Sequence, residues 1–397
     1  MKSILYLHQY FNTNKDSGST RSYEFSKELG NNGYKTYMVS GNNINRKSFE
    51  DISNFEYFST NTSYSNSMSY LKRINLFLKY IFKSIIIGTK IKNIDIVFAT
   101  STPLTIAIPG YILSRFHRAK FIFEVRDVWP DIPIELGVVK NRFLIFILKK
   151  FELFIYNKAN HIIVASVGMY KNLIKKGIDN KKITVITNMA NIELYDSIYT
   201  DKYEERKKLG LKEEDFICIH PGTMGFVNGV DYILDVAKDI IKYDNKIKFL
   251  LIGRGKYKNF LVERKNKENI DNVKFLDSVT KENIIKIIKT SDLGIMLVRN
   301  YRILEDNSAN KFFDFLAAGL PILINYGGWQ KNELESHDVG FSCSPTDYKE
   351  MVNKILFLKE NKERYREMSR NSKELGEKKY SRNICCDKFI QVVRSIN

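Results

Sequence analysis

Residues 306–329 read DNSANKFFDFLAAGLPILINYGGW. Phe312, Phe315 and Leu316 recur at i, i+3 and i+4, the spacing that lines one face of a helix, and Asn307 or Ser308 stands where that helix needs a cap. Gly319 and Pro321 supply the stop, and the apolar run 322–324 reads as a buried strand. Helical spacing also puts Asn307, Lys311 and Asp314 on one side near the helix start. The first backbone N–H groups of a helix have no partner within it and lie at the positive end of its dipole, so an anion is favoured there. A cation, a hydroxyl-binding carboxylate and an anion hole together suggest a sugar nucleotide. The same spacing also fits a solvated lysine and an ordinary helix carboxylate.

Outward from this stretch, strand, turn and helix alternate. At the start, 4–7 is an apolar strand, 12–20 a polar loop containing Gly18, 21–29 a helix ended by Gly33, and 36–39 a second strand. This is the opening of a doubly wound α/β domain, without the G-x-G-x-x-G of a dinucleotide fold. The pattern restarts with a strand at 216–220, the turn PGTMGFVNGVD at 221–231 and a helix at 232–241. Glycines between strand and helix let backbone N–H groups approach a pyrophosphate, which makes Gly222 and Gly229 candidates. The strand 248–252 ends in Gly253-Arg254-Gly255, and 273–276 is a further strand. The expected organisation is one Rossmann-like domain over 1–195, a second over 196–380, and a closing helix over 381–397 that returns to the first.

The 397 residues suffice for two such cores, and an excess of 63 basic over 45 acidic residues gives a net charge of +18. Residues 1–195 hold 27 Lys and Arg against 14 Asp and Glu, so 13 of the 18 surplus charges lie in the first half. From 57 to 94 there is no acid at all. On a helical wheel Lys72, Lys79, Lys83 and Lys90 fall within about 20° of one line, opposite Tyr70, Ile74, Phe77, Ile81 and Ile85, with Arg73 alongside. Such a helix can lie on an anionic membrane surface or simply turn a basic side to solvent. A second basic and apolar helix at 140–158 extends that surface or packs in the core. No nucleic-acid module is recognisable. The four cysteines have no metal-ligand spacing, and no signal peptide is read at the start, which suits a reducing cytoplasm.

One more strand, 121–125, runs into Arg126-Asp127-Val128-Trp129-Pro130. Carboxyl ends of strands in open α/β sheets point at the ligand crevice, so Glu124, Arg126, Asp127 and Trp129 are well placed for function, although Arg126 and Asp127 could equally form a structural ion pair.

The wording NKFFDFLAAGLPI, the turn 221–231 and the ERD-x-WP-like cluster at 124–130 resemble the family 4 retaining glycosyltransferases, which have the GT-B fold. The nearest likeness is to the subgroup that builds O-antigen and capsule repeat units and includes N-acetyl-L-fucosamine transferases. Asp306 and Asp314 stand at the separation of that family's acidic pair, with Asp where Glu is usual. The resemblance implies two Rossmann-like domains facing a central cleft. It implies transfer of an N-acetylated sugar from a UDP-sugar to a lipid-linked saccharide, with retention, on the cytoplasmic face of the inner membrane. Ser308, Asn310 and Asp314 would hold the donor with Gly222, Gly229 and Gly253, and Leu276 to Val279 would edge the uracil. Asp306 would hold a sugar hydroxyl. Gly18, Ser19 and Arg21 would face the acceptor. The family's diphosphate-binding Arg and Lys are replaced by Thr223 and Asn228, leaving Lys311, Arg254 and Arg299 as the available cations. Retention by same-face attack needs no dedicated general base, and Asp127 is a candidate for one. The sequence has no D-x-D pair, so neither a metal nor another cofactor is expected. Rival readings are a GT-B UDP-N-acetylhexosamine epimerase and a silent membrane-bound scaffold.

Overall fold

The computed structural model describes residues 1–16, 18–63, 68 and 70–396. The chain divides into two compact units. One comprises Met1–Asn188, Asp306–Ser308 and Asn383–Asn397, and the other Met189–Glu305 and Ala309–Arg382.

In the first unit, short apolar runs become β1 (Ser3–Leu7), β2 (Lys35–Ser40), β3 (Phe55–Ser59), β4 (Ile96–Thr100), β5 (Lys120–Val125), β6 (His161–Val164) and β7 (Ile183–Val185). They pair in parallel in the order β3-β2-β1-β4-β5-β6-β7. Every residue of β1 and β4 is buried, as a sheet covered on both faces requires. The helix α1 (Arg21–Asn31) buries Phe25, whose ring stacks at 4.1 Å on Phe389 of the helix Arg382–Ser395. That late helix is therefore part of the first unit's core.

The basic segments form α2 (Tyr70–Lys90) and α4 (Arg142–Lys158), with α3 (Ala107–Phe116) between them in the chain. The buried side of α2 is Tyr80, Ile81, Ser84 and Gly88, so of the predicted apolar line Ile81 is buried and the inward face is turned toward Tyr80 and Ser84. Ile74 is exposed, Phe77 and Ile85 are half-buried, and the side chain of Tyr70 lies outside the described residues. Gly88, in line with Ile81, sits so close to Leu113 of α3 that a Cβ there would come within 2.5 Å of it, and beside that line the buried Tyr80 hydroxyl donates to the Val39 carbonyl at 2.9 Å. Lys72, Lys79, Lys83 and Lys90 are exposed, while Lys83 also donates to the Thr60 carbonyl at 2.8 Å. Arg73 is half-buried and donates to the Met68 carbonyl at 3.0 Å. Between the lysines and the buried flank runs an exposed apolar stripe, Ile74, Leu78, Phe82 and Ile86. On α4 only Glu152, Ile155 and Tyr156 are buried, and Phe143 and Phe146 stand out at 72% and 58% exposure. The Tyr111 and Phe154 rings meet edge-on at 5.2 Å, which joins α4 to α3. No described helix is long and apolar enough to cross a membrane.

The second unit repeats the plan with β8 (Phe216–Pro221), β9 (Ile247–Ile252), β10 (Val273–Leu276), β11 (Leu293–Met296), β12 (Ile322–Ile324) and β13 (Gly340–Ser342), parallel and ordered β10-β9-β8-β11-β12-β13. Alternate residues feed opposite layers. Ile217, Ile219, Leu250 and Ile252 pack with Phe312, Phe315 and Leu316, whereas Cys218, Phe249 and Leu251 pack under Ile233, Leu234 and Ala237 of α5 (Asp231–Ile240). The opening stretch forms α6 (Asn310–Ala318), closed by Gly319 in a left-handed conformation, and then β12. Both units are Rossmann-like α/β folds.

Candidate active site

In each sheet the strand order reverses beside the first strand, between β1 and β4 and between β8 and β11. Ligands of open α/β sheets bind beyond the carboxyl ends of the strands at such a reversal. In the second unit that place is occupied by His220 and Gly222 from the end of β8, and by Lys311 from α6.

The helix begins later than the sequence suggests. Its N-cap is Ala309, which has no capping side chain, rather than Asn307 or Ser308. Both fall outside it because the 3₁₀ turn Arg302–Asp306 precedes the helix and the chain stays extended at Ala309. The N-cap residue consequently gives the first turn no side-chain acceptor, and Asn310 is exposed at its edge. Asn307 is thus not on the helix with Lys311. Lys311 and Asp314 also diverge: Lys311 Nζ lies 3.2 Å from His220 Nε2, whereas Asp314 Oδ1 accepts from Lys281 at 2.6 Å and from the Tyr195 hydroxyl at 3.0 Å.

Lys311 is partly buried, and loss of water around its amine pushes its pKa down to about 7. Among the described residues no carboxylate forms an ion pair with it. Its amine points at the turn after β8, where Gly222 has φ +139° and a Cβ would stand 3.1 Å from Nζ. A side chain at 222 would therefore contest the space in front of the ammonium. Behind this turn lies a second one. A Cβ on Gly253, with φ +150°, would overlap the Gly222 carbonyl at 1.8 Å, so the two turns can stack only through glycine.

The other donor-side residues are more occupied than the sequence indicates. Thr223 is exposed. Asn228 accepts from the Gly225 N–H at 3.1 Å, so its side chain shapes its own loop. Arg299, a candidate cation, pairs with Asp231 at 2.8 Å and lies 4.7 Å from the centre of the Phe226 ring, which binds it into the same loop next to Gly229. Arg254 is exposed, and its charge helps hold the Asp277 carboxyl below the usual range, after the larger effect of Lys258. Leu276 already accepts from Gly253 N–H at 3.1 Å and from Lys258 at 3.1 Å, and Val279 packs against the core. Asp306 and Ser308 group with the first unit. There the Asp306 carboxylate faces Gly168 at the start of the helix Val167–Lys175, the Asp306 carbonyl accepts from Ser166, and the Ser308 carbonyl accepts from Asn188 at 2.8 Å.

In the first unit the expected acceptor contacts separate into two sets. Arg21 and Glu124 face inward: they form a buried ion pair at 2.8 Å, and Arg21 also donates to the carbonyls of Ile186 and Thr187. A guanidinium with so many partners is a brace of the core, not an open contact. Arg126 donates to Ser19 at 2.9 Å, Asp127 accepts from Thr102, and Gly18, with φ +123°, adjoins Asn12. These stand near the ends of β4 and β5. Sequence reasoning missed His8 and Gln9 just after β1. Both are buried, and His8 Nδ1 and the Gln9 amide have no partner among the described residues. Burial, reinforced by Arg126, keeps His8 neutral by lowering its pKa well below the usual imidazole range. Their position after an apolar strand was the available signal. His220 was missed too, for it reads as one more strand residue.

Two family models cover most of the chain, Glycosyltransferase Family 4 over residues 18–194 and Glycosyl transferases group 1 over residues 201–375. The chain belongs to this GT-B glycosyltransferase superfamily. A curated member, the alpha-galactosylglucosyldiacylglycerol synthase of Streptococcus pneumoniae, is 27% identical over 99 residues, 25% of this chain and 26% of the relative. An uncharacterised glycosyltransferase of Methanocaldococcus jannaschii is 25% identical over 206 residues, 51% of each chain. The chain thus spans about a quarter and about half of these curated relatives. Among solved structures, the sucrose-phosphate synthase of Thermosynechococcus elongatus superposes with a TM-score of 0.78 at 13% identity, covering 100% of this chain and 99% of that one. Anabaena HepE in complex with UDP-glucose superposes with 0.75 at 16% identity, covering 100% of both. At such identities the likeness to the family's structures is one of fold.

Proposed function

We propose that this protein is a retaining glycosyltransferase that takes an N-acetylated sugar, N-acetyl-L-fucosamine or a close relative, from UDP and transfers it to a lipid-linked saccharide in O-antigen or capsule synthesis. One observation carries the reading: an amine held against a glycine turn at the strand-order reversal, its pKa lowered and with no carboxylate ion-paired to it among the described residues. A group so placed is completed by an anion. The uncapped start of α6 offers N–H groups to the same class of ligand, and a solved relative of this fold is described with UDP-glucose. Departure of the diphosphate concentrates negative charge on its oxygens, so Lys311, Arg254 and the Gly222 turn would stabilise the transition state. Asp314 would hold ribose through the oxygen not taken by Lys281. In the second unit Thr223, Gly229, Gly253 and Asn310 would line the donor, and in the first unit Ser19, Arg126 and Asp127 would meet the acceptor. No metal is required by this scheme. The test is release of UDP from UDP-sugars with and without a lipid-linked acceptor. Acceptor-dependent release supports a transferase, and conversion of UDP-N-acetylhexosamine with no acceptor present would replace it with an epimerase.

The acceptor side adds a membrane surface. The exposed stripe of α2, Phe116 of α3 and Phe143, Phe146 and Ile147 of α4 put large apolar side chains beside Lys72, Lys79, Lys83, Lys90, Arg142 and Lys150. Apolar groups for the acyl boundary with cations for headgroups suit an anionic bilayer, in keeping with the cytoplasmic face of the inner membrane. Flotation with vesicles containing phosphatidylglycerol tests this, and protein that stays at the bottom of the gradient would reject it.

A further inference from the structure

We infer that His220 is a positioning residue for the donor site, its imidazole aiming the Lys311 ammonium at the Gly222 turn. The inference rests on the nucleotide-diphosphate reading above and adds to it a residue from the core of the sheet.

The hydrogen bonds fix the tautomer. His220 Nδ1 lies 3.0 Å from the Ile295 carbonyl oxygen, which can only accept, so Nδ1 carries the hydrogen. Nε2 of the neutral ring then presents its lone pair, and the Lys311 amine 3.2 Å away donates to it. Burial and the facing lysine both oppose a second proton on the ring.

The location gives this pair its consequence. His220 is at the end of β8 and Ile295 is on β11, so the ring spans the two strands that flank the reversal. It is fully buried and bonded at both nitrogens, hence fixed, whereas a lysine stem is flexible. One N–H of Lys311 is taken by this fixed acceptor, and the amine is thereby held beside Gly222. An amine already in place loses less freedom when a diphosphate arrives. An aliphatic residue would pack between Ile219 and Pro221 without burying two polar atoms; the histidine makes sense because both of its nitrogens are used.

The experiment is a double-mutant cycle read by calorimetric titration of the full chain with UDP. His220→Leu should weaken UDP about tenfold, the scale of one lost bond to a charged group, and His220→Gln, which keeps an acceptor oxygen, should recover most of that loss. In a Lys311→Met background His220→Leu should change UDP affinity by less than about twofold, because the group it acts through is gone. An equal loss in both backgrounds, or no loss in the wild type, would overturn the inference. If Lys311→Met by itself leaves UDP affinity unchanged, the donor reading fails instead, and the two failures are distinct. Should His220→Leu not fold, nitrogen NMR of the wild-type imidazole decides: the Nδ1–H tautomer with an Nε2 resonance that moves in Lys311→Met supports the role, and an Nε2–H tautomer overturns it.

Discussion

Lys311 brings together the costs and uses of a buried charge. In the unfolded chain its amine has the ordinary lysine pKa near 10.4, and in the folded, ligand-free protein about 7. Between these values the unfolded state holds a proton that the folded state lacks, so stability rises with pH across that window and is lowest below pH 7. Lys311→Met should therefore raise the melting temperature by several degrees at pH 6, with a gain that shrinks as the pH approaches about 10. Scanning calorimetry at several pH values checks this, and an unchanged profile would contradict it. Ligand binding runs the other way. A diphosphate restores the proton, so above about pH 7 UDP affinity should weaken toward tenfold per unit in the wild type and stay flat in Lys311→Met. At saturating donor, Lys311→Ala should lower turnover at least about tenfold, the loss of one charge-assisted contact in the transition state.

Among the elements, α4 offers the sharpest separation of folding from surface chemistry. Phe143 and Phe146 are mostly exposed, so the pair Phe143→Ser and Phe146→Ser should leave the melting temperature unchanged while reducing flotation on anionic vesicles more than about tenfold. Equal flotation by the variant would remove α4 from the proposed surface. In α6 the opposite holds: Phe315 is completely buried, and Phe315→Ala should cost about 3–5 kcal/mol in a denaturant titration. The sequence showed these two helices unequally. The i, i+3, i+4 spacing of Phe312, Phe315 and Leu316 found the buried face of α6, since helix-on-sheet packing leaves one answer. On α2 the same logic found Ile81 but missed Tyr80 and Ser84, because the Tyr80 hydroxyl bonds the Val39 carbonyl and no spacing reveals such a partner. Glycine turns and the lysine were legible because their chemistry is local. The pairings Arg21–Glu124 and His220–Lys311 join residues far apart in the chain, so the sequence showed Arg21 and Glu124 only as residues near a crevice.

For the molecule as a whole, both parallel sheets could be read from repeated strand, turn and helix, whereas their strand orders could not. The division of the chain was harder to see at one place: residues 306–308 group with the first unit, as 383–397 do, and the sequence suggested such a return only for the closing helix. Phe389 lies against both Phe25 and Phe98 there. Phe389→Ala should thus reduce amide-exchange protection in residues 1–188 and leave residues 189–305 and 309–382 at wild-type values; an even loss would mean that the two units unfold together.

That late helix also has a bearing on synthesis. The polypeptide emerges amino end first, yet one wall of the first core is encoded after the entire second unit, so the earlier unit must remain unfinished on the ribosome while the later one closes. Its apolar surface around Phe25 stays uncovered for that interval, and a nascent chain arrested near residue 370 should be a preferred client of chaperones that bind exposed aromatic segments.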